Sequence, residues 1–586
     1  MTQGQGGNGT PEVPSALSPQ PPALDFSALQ KPGTPNPEPR TPNPEPRTRN
    51  AGFVGFAILS SRILGLVREQ VFAILFGAGL EYDAFVTAFR IPNLLRDLFS
   101  EGGLSTAFVT VFSQKLATHG EAALWTLVNR VLHVLLLLSG LVVVAGVWFQ
   151  PQLMELIAPG FGGIPGKADL TVGLARLMWP FVGMVFLASL LMGTLNAREQ
   201  FAAPSFASAS FNVGAIFGGL ACAGWLAPEY VFGMARVLAG LQHPDQVDTS
   251  RVALAIFGMA AGTLIGGTLQ IVIQLPGLWS AGYRYAPTVS MTDPDVRRVL
   301  WLFLPAVIGG AATQINVFIN TYFASELGNG PVGWLNYSFR LIQFPIGIFG
   351  VAIATTTFPA MARAASRRDF SDLQRQISQA LGLVMVLCIP SACGLAVLGK
   401  LIVAVIYEHG KFTAVDTQAT ASALGCYALG LTGYAAIKVL APVFYSLHDT
   451  RTPVLLSVGS VLLNFGLNYL LVRVFHFGHT GLALSTAGVI LIEFVMLVWL
   501  LKQHTRQRLE GAFWEGFLKI LVASGLLSVT AWGCVHFWQA SSFWLRCVQL
   551  TLTIGLASLA FAVVCRVLKV EEFDRALQAF LGKVLK

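Results

Sequence analysis

Arginine side chains lie inside segments of this chain that are otherwise apolar. Arg62 and Arg68 fall in the first such segment, Arg90 and Arg96 in the second, and Arg340 in a later one. A basic side chain near the centre of a bilayer costs about 2.5–3.5 kcal/mol on insertion, so it usually faces a wet cavity or a partner. Guanidinium groups bind phosphate through paired hydrogen bonds. Their convergence in a cavity would therefore suit a diphosphate.

Acidic residues near these arginines leave a structural explanation open. Glu69 and Asp97 each directly follow one of the arginines, and Asp83 and Glu101 bracket the second apolar segment. An arginine that pairs with a neighbouring acid, or whose head group reaches the membrane surface, needs no ligand. The arginines that are hardest to explain in this way are Arg62, Arg96 and Arg340.

Enzyme motifs are weak or absent in the sequence. The glycine pattern from Gly328 to Gly333 matches a dinucleotide-binding motif, but no strand is expected before it. Asp293 and Asp295 resemble a metal-binding pair; an Asp N-cap followed by Pro294 at the start of a helix explains them better. The sequence contains no GxSxG, HExxH or Walker A motif.

The elements that carry these arginines read as membrane-spanning helices. The chain is 54% hydrophobic and 12% charged, with a mean hydropathy of +0.63, whereas soluble domains carry about 25% charged residues. Apolar segments of roughly 20 residues or more, long enough to span a bilayer, alternate with short polar breaks. We count about fourteen such segments after residue 50. The predicted fold class is an all-α integral membrane protein.

The loop charges predict the orientation of the chain. With the amino terminus inside and an even number of spans, one set of loops carries thirteen Lys and Arg residues and the other carries seven. The positive-inside rule then places both termini in the cytoplasm, with the chain in the cytoplasmic (inner) membrane. The net charge of +8 is spread over short loops, so we expect contact with membrane lipids and no nucleic acid.

Both ends of the chain differ from the apolar part. Residues 1–49 are rich in proline and contain the tandem heptads Thr34–Arg40 and Thr41–Arg47. Proline at every second position blocks helix and sheet, so we predict a disordered cytoplasmic tail, either a bare tether or a docking segment. Residues 571–586 alternate charged and apolar residues and are predicted to form a short amphipathic helix on the inner surface.

Several motifs resemble those of the MurJ (MviN) family of lipid II flippases, and the likeness runs from about residue 51 to 570. Each motif alone is unspecific, but together they are specific. They are Ser61–Arg68, Phe76–Gly79, Asp83–Phe85, Phe89–Arg96, Glu101–Gly103, Phe344–Ala352, Tyr407–Thr413 and Lys438–Ser446.

The resemblance implies the fold of the multidrug/oligosaccharidyl-lipid/polysaccharide exporter superfamily. Two six-helix lobes related by a pseudo-twofold, residues 50–280 and 281–503, would surround a central cavity. Residues 504–570 would supply helices 13 and 14 and a groove for a polyprenyl tail. The implied activity moves lipid-linked peptidoglycan precursor from the inner to the outer leaflet by alternating access, without covalent chemistry, so the chain would be a transporter and not an enzyme.

The resemblance also implies which residues bind the substrate. Family positions important for function match Arg62, Arg68, Arg96, Arg340 and Asp83, and to this set we add Arg90 and Glu101. The chain departs from the family pattern at Asp97, Phe339 and Gln343, which puts the pairing around Arg340 in question.

Ion coupling and partners are further expectations from the resemblance. Some relatives bind sodium between helices 7, 11 and 12, where Asn464 and Asn468 are weak candidate ligands for a coupling monovalent ion. No cofactor or structural metal is expected. The expected partners are lipid II or a related polyprenyl-diphosphate glycan and, as a further candidate, cell-wall synthesis proteins.

Alternative functions remain open from the sequence. Within the superfamily, the chain could flip another polyprenyl-diphosphate-linked glycan or export drugs in exchange for cations, although an exporter of cationic drugs would favour acids in the cavity. An integral-membrane enzyme acting on polyprenyl diphosphates would need a catalytic acid or histidine cluster near one interface, and no convincing cluster of that kind is found.

Overall fold

The computed structural model describes residues 48–100, 104–507, 509–540 and 542–584. Helices and their connections make up these residues, and no strand occurs among them. The all-α prediction is therefore confirmed. The proline-rich tail up to residue 47 and the candidate site residue Glu101 lie outside the described residues.

Fifteen helices are numbered here in chain order, and each includes any internal break. They are α1 Thr48–Phe76, α2 Leu80–Ser100, α3 Leu104–Trp148, α4 Lys167–Ala197, α5 Ala202–Leu226, α6 Val252–Ser280, α7 Pro294–Ser325, α8 Pro331–Ser366, α9 Phe370–Tyr407, α10 Ala414–Ser446, α11 Arg451–Val474, α12 Gly478–Thr505, α13 Gly511–Phe537, α14 Phe543–Val567 and α15 Glu571–Val584. Two shorter α-helices, Gln150–Ile157 and Pro228–Leu238, lie in the α3–α4 and α5–α6 connections.

Most of these helices are long and apolar enough to cross a membrane. By length and composition, eleven helices in the described part of the chain meet that condition, and α1, α2 and α7 are not among them. The chain is thus a multi-pass membrane protein. The count of fourteen spans stays a prediction.

Local sequence accounts for several helix starts and breaks. Asp293 begins α7 by accepting hydrogen bonds from the backbone N–H groups of Asp295 and Val296, and Pro294 follows it, so the N-cap prediction is confirmed. Gly120 interrupts α3 with φ of 77°, a value that glycine adopts without strain. In α8, a wider helical turn at Ile346–Gly350 follows Pro345, as expected where a proline disturbs the hydrogen-bond ladder.

The two halves of the chain repeat one packing pattern. In the first half, α4 packs against α2, α3 and α6, and α5 packs against α6. In the second half, α10 packs against α8, α9 and α12, and α11 packs against α12. The equivalence of helices six positions apart is the arrangement expected of two pseudo-symmetric six-helix lobes. Wide helical turns also recur in α5 and α11, which are equivalent helices.

Contacts between the halves run through few helices, and the last three helices attach to the second half. Helix α2 meets α7 and α8, and α3 meets α7. Helix α13 packs on α9 and α14, and α15 packs on α9 and α14. The amphipathic segment is therefore helical over Glu571–Val584, and it lies against protein as well as facing outward.

Candidate functional site

A cavity of about 1570 Å³ lies between the two halves of the helical bundle. Four of the arginines selected from the sequence line it, namely Arg62, Arg68, Arg96 and Arg340. They come from α1, α2 and α8, so the fold brings together side chains that are up to 278 positions apart in the chain. The predicted convergence of these guanidinium groups is observed.

Glu69 joins the two halves at the head of this cavity. Its Oε1 atom accepts hydrogen bonds from Nη2 of Arg68 at 2.8 Å and from Nη2 of Arg340 at 3.3 Å. The Arg68 guanidinium also donates to Oδ1 of Asn212 at 3.3 Å, and that of Arg340 donates to Oε1 of Gln343 at 3.3 Å. Gln343 thus contributes a neutral acceptor, and Glu69, from the opposite lobe, contributes the carboxylate.

Arg96 is paired locally, which corrects part of the sequence argument. Its Nε and Nη2 atoms donate to Oδ1 of Asp97 at 3.2 and 3.0 Å. The Phe211 ring lies beneath both Arg68 and Arg96, with guanidinium carbons 5.7 and 5.8 Å from its centre. Arg96 was expected to be among the arginines least explained by a neighbouring acid. Consecutive residues on a helix rarely face one another, but the long arginine side chain turns back to Asp97.

Arg62 contacts the opposite half through backbone. Its Nη1 atom donates to the carbonyl oxygen of Gln343 at 3.1 Å. The guanidinium lies against the wide turn of α8, where a Cβ atom added at Gly347 would be 2.1 Å from the guanidinium carbon. Among the described residues, no ion-pair partner of Arg62 is found.

Arg90 lies apart from the main cavity. It lines a smaller adjoining pocket of about 60 Å³ together with Arg68, Glu69 and Arg340. Its Nε atom is buried and has no hydrogen-bond partner among the described residues. The structure thus places Arg90 behind the arginines of the main cavity, and its role in binding stays a prediction.

Asp83 lies outside both cavities, in a buried cluster that joins the lobes. Its carboxylate accepts hydrogen bonds from Nζ of Lys167 at 2.8 Å and from the backbone N–H groups of Gly330 and Gly333 at 2.7 Å each. Lys167 also donates to Oδ1 of Asn329 at 2.9 Å. The carboxylate therefore caps the first turn of α8 from another helix, where negative charge is favoured. This cluster lies beyond the end of α1 and closes that side of the bundle.

The candidate ion ligands form an amide network between α7, α11 and α12. The Nδ2 atoms of Asn464 and Asn468 donate to Oδ1 of Asn320 at 3.2 and 2.8 Å, and Asn464 also donates to Asn316 at 3.1 Å. Ser485 donates to Oδ1 of Asn464 at 3.0 Å. Most amide oxygens here are already used, and no cluster of three acidic, His or Cys side chains exists in the described residues. The network fits a structural role better than a cation site, so no transport step is routed through an ion.

Apolar walls extend the arginine-lined cavity toward the last helices. Side chains of α9 form much of one wall, and Leu527 of α13, Ile554 and Phe561 of α14, and Phe573 and Leu577 of α15 also line it. The cavity is thus charged at one end and apolar at the other. The apolar side chains of α15, predicted to enter lipid, instead face this cavity.

The sequence analysis missed the residues that organise the arginines. Glu69 was noted only as a neighbour of Arg68, and its contact with Arg340 depends on helix packing that no local pattern reveals. Phe211 and Asn212 carried no signal beyond ordinary apolar and polar helix residues. The adjacency of Glu69 to Arg68 within an apolar segment was the one available clue.

Comparisons with known proteins agree with this geometry. The family model described as lipid II flippase MurJ matches residues 72–556. The lipid II flippase MurJ of Burkholderia cenocepacia is 32% identical over 494 residues, covering 83% of this chain and 89% of the relative. The probable lipid II flippase MurJ of Vibrio cholerae is 33% identical over 446 residues, covering 75% of this chain and 80% of the relative.

Solved structures show the same fold. A structure described as lipid II flippase MurJ in an inward closed conformation superposes with a TM-score of 0.68 at 23% identity, covering 88% of this chain and 99% of that one. A multidrug resistance MATE family transporter of the MOP superfamily in an inward-facing conformation gives a TM-score of 0.60 at 13% identity, covering 76% of this chain and 94% of that one. With a family model matched over most of its length, this chain belongs to the MurJ family of lipid II flippases.

Proposed function

We propose that this protein flips lipid II, the lipid-linked peptidoglycan precursor, from the inner to the outer leaflet of the cytoplasmic membrane. The observation that carries the proposal is the single cavity in which Arg62, Arg68, Arg96 and Arg340 meet an apolar wall. Such a cavity matches a ligand with a charged head and a long hydrocarbon tail.

The charge of the cavity supports a diphosphate as the bound head group. Four guanidinium groups face the cavity, while Glu69 and Asp97 supply two carboxylates in contact with them. The excess positive charge would be neutralised by a diphosphate diester, which has one ionised oxygen on each phosphate. Arg340 is the most suitable first ligand because its side chain is 35% exposed, compared with 12% for Arg68.

The tail of the substrate would lie against α9, α13, α14 and α15. Their cavity-facing side chains are almost all apolar, so hydrocarbon placed there would be solvated much as in the bilayer. The diphosphate would remain at the arginines while the tail follows this wall. No covalent step is needed, and the chain acts as a transporter.

Alternating access would exchange the seal around Asp83 for a closure at the opposite end of the cavity. The seal joins α2 and α4 of the first lobe to the start of α8 in the second, so rocking of the lobes must break it. With both termini in the cytoplasm, as the loop charges indicate, the seal lies on the outer side. The conformation described here is then closed toward the outside.

An Arg340 substitution series tests the proposal. We expect Arg340→Ala to lower lipid II flipping in proteoliposomes by about tenfold or more, since a hydrogen bond to a charged group is worth about 1.5–3 kcal/mol. Arg340→Lys should recover only part of the rate, because an ammonium group keeps the charge and loses the two-pronged contact. Arg375→Ala is the matched control, because Arg375 is exposed and pairs within its own helix turn.

Membrane abundance and binding of undecaprenyl diphosphate complete this test. The proposal requires the Arg340→Ala protein to be present at the parental level with weakened binding. Parental flipping by Arg340→Ala, or full recovery by lysine, would refute the clamp. Failure of the unmodified protein to replace a depleted lipid II flippase in growing cells would direct attention to another polyprenyl-linked glycan.

A further inference from the structure

Glu69 holds one arginine from each lobe on a single oxygen atom. Oε1 accepts from Arg68 of α1 at 2.8 Å and from Arg340 of α8 at 3.3 Å, and the Glu69 side chain is only 5% exposed. The two contacts are unequal, since the bond to Arg340 is longer and the Arg340 side chain is more exposed. Arg340 is therefore the partner that an incoming anion can remove from Glu69 at the lower energetic cost.

The other oxygen of Glu69 is held from the outer side of the site. Tyr82 donates its hydroxyl hydrogen to Oε2 at 2.6 Å, and Asn336 of α8 donates to the Tyr82 oxygen at 2.8 Å. The Tyr82 ring stacks on that of Tyr337, with centres 4.4 Å apart and planes within 9°. Tyr82 directly precedes Asp83, the acid at the centre of the outer seal. One carboxylate thus contacts both the arginines and the support of the seal.

A diphosphate and the Glu69 carboxylate would compete for the same N–H groups. The remaining donors of Arg68 and Arg340 already contact Asn212 and Gln343. In a site with little water, an anion adjacent to a bound phosphate repels it strongly. The carboxylate therefore weakens substrate binding, and it also returns the arginines to a paired state once the substrate leaves.

We propose that Glu69 is an internal counterion that the substrate's diphosphate displaces from Arg340 in each transport cycle. This inference rests on the proposed function. Glu69 is a positioning residue in this scheme: it orients the two arginines in the empty protein and drives release of the substrate afterwards. Loss of the Arg340 contact leaves the carboxylate to Arg68 and Tyr82, which transmits occupancy of the cavity to the base of the outer seal.

The decisive variant is Glu69→Gln, which keeps the size of the side chain and an oxygen for Tyr82 while removing the charge. We expect undecaprenyl diphosphate to bind on the order of tenfold more tightly, as loss of one nearby like charge predicts, and lipid II flipping to become slower. Tighter binding together with slower transport indicates impaired release. Glu326→Gln is the matched control, since Glu326 pairs with the exposed Arg473 outside the cavity.

A second variant separates this role from a structural one. Tyr82→Phe keeps the ring stack but removes a donor from the carboxylate, so the freed charge competes more strongly and undecaprenyl diphosphate should bind more weakly. Opposite shifts in affinity for Glu69→Gln and Tyr82→Phe support the inference. Weakened binding in both variants, or unchanged affinity in Glu69→Gln, overturns it.

The same measurements distinguish failure of the inference from failure of the proposed function. If the unmodified protein binds undecaprenyl diphosphate and flips lipid II, only the counterion role is at stake in the variants. If the unmodified protein does neither, the proposed function fails first. If Glu69→Gln is scarce in the membrane, the affinity change in Tyr82→Phe alone decides, and an affinity equal to or above the parental value contradicts the inference.

Discussion

Arg62 and Gly347 share one small volume between α1 and α8. The guanidinium of Arg62 occupies the space that a side chain at position 347 would need, and it donates to the carbonyl oxygen of Gln343. Glycine is required here for this close approach and not for an unusual φ. The pair forms a contact between the lobes at the wall of the cavity.

Gly347→Ala should therefore reproduce the loss of Arg62 without a change at Arg62 itself. The new Cβ would lie 2.1 Å from the guanidinium carbon, and a flexible side chain moves aside at little cost in stability. We expect normal membrane abundance and flipping reduced by about tenfold, the equivalent of about 1.4 kcal/mol.

Gly394→Ala is the control for this comparison. Gly394 also lines the cavity, and a Cβ there meets no atom within 4 Å. The control should retain flipping in the same proteoliposome assay. Equal activity of both alanine variants would show that the contact between Arg62 and Gln343 is not needed for transport.

The sequence predicted which arginines matter better than it predicted what they touch. Charge within an apolar segment is expensive wherever it occurs, so Arg62 and Arg340 were conspicuous without any structure. Their partners depend on distances between helices from different lobes. The Glu69 contact with Arg340 and the carbonyl contact of Arg62 therefore had no local signal.

At the level of elements, the start of α8 is held by acid and base from two other helices. Asp83 of α2 caps this turn, and Lys167 at the start of α4 neutralises Asp83. Both charged side chains are fully buried. Breaking one partner of a buried ion pair costs about 3–5 kcal/mol, because it leaves an uncompensated charge.

Lys167→Met should accordingly destabilise the seal and shift the protein toward an outward-open form. We expect a cysteine introduced at Thr263, which lines the small pocket beneath the seal, to react faster with an impermeant maleimide from outside in a cysteine-free background. Adding Asp83→Asn should recover part of the lost thermal stability, since the unpaired buried charge is removed. Unchanged labelling in Lys167→Met would mean that this ion pair does not hold the outer side closed.

At the scale of the whole molecule, the orientation in the membrane is open to a direct test. Ser366, in the α8–α9 connection, and Thr249, in the α5–α6 connection, are exposed and lie in loops of opposite predicted sides. In a cysteine-free background, we expect Thr249→Cys to be labelled by an impermeant maleimide in intact spheroplasts and Ser366→Cys only after the membrane is opened. The reverse pattern would invert the topology and place the seal around Asp83 in the cytoplasm.

The order of helices was predictable because apolar length is a property of sequence alone. Each predicted span coincides with one of α1 to α14, although the breaks inside them did not follow from apolar length. The position of α15 against α9 and α14 could not be predicted, since an amphipathic helix presents the same face to lipid and to a protein cavity.

The wide turn in α8 has a consequence for helix register. A turn of this kind holds one residue more than a regular α-helical turn, and here it lies between Arg340 and the cavity-lining Thr356. Deleting one residue from Ile346–Gly350 would return the stretch to regular α-helix and rotate all that follows by about 100°. Arg340 would keep its place while the cytoplasmic half of α8 turned a different face to the cavity. The arginines and the lower wall are thus phased to each other by a single extra residue.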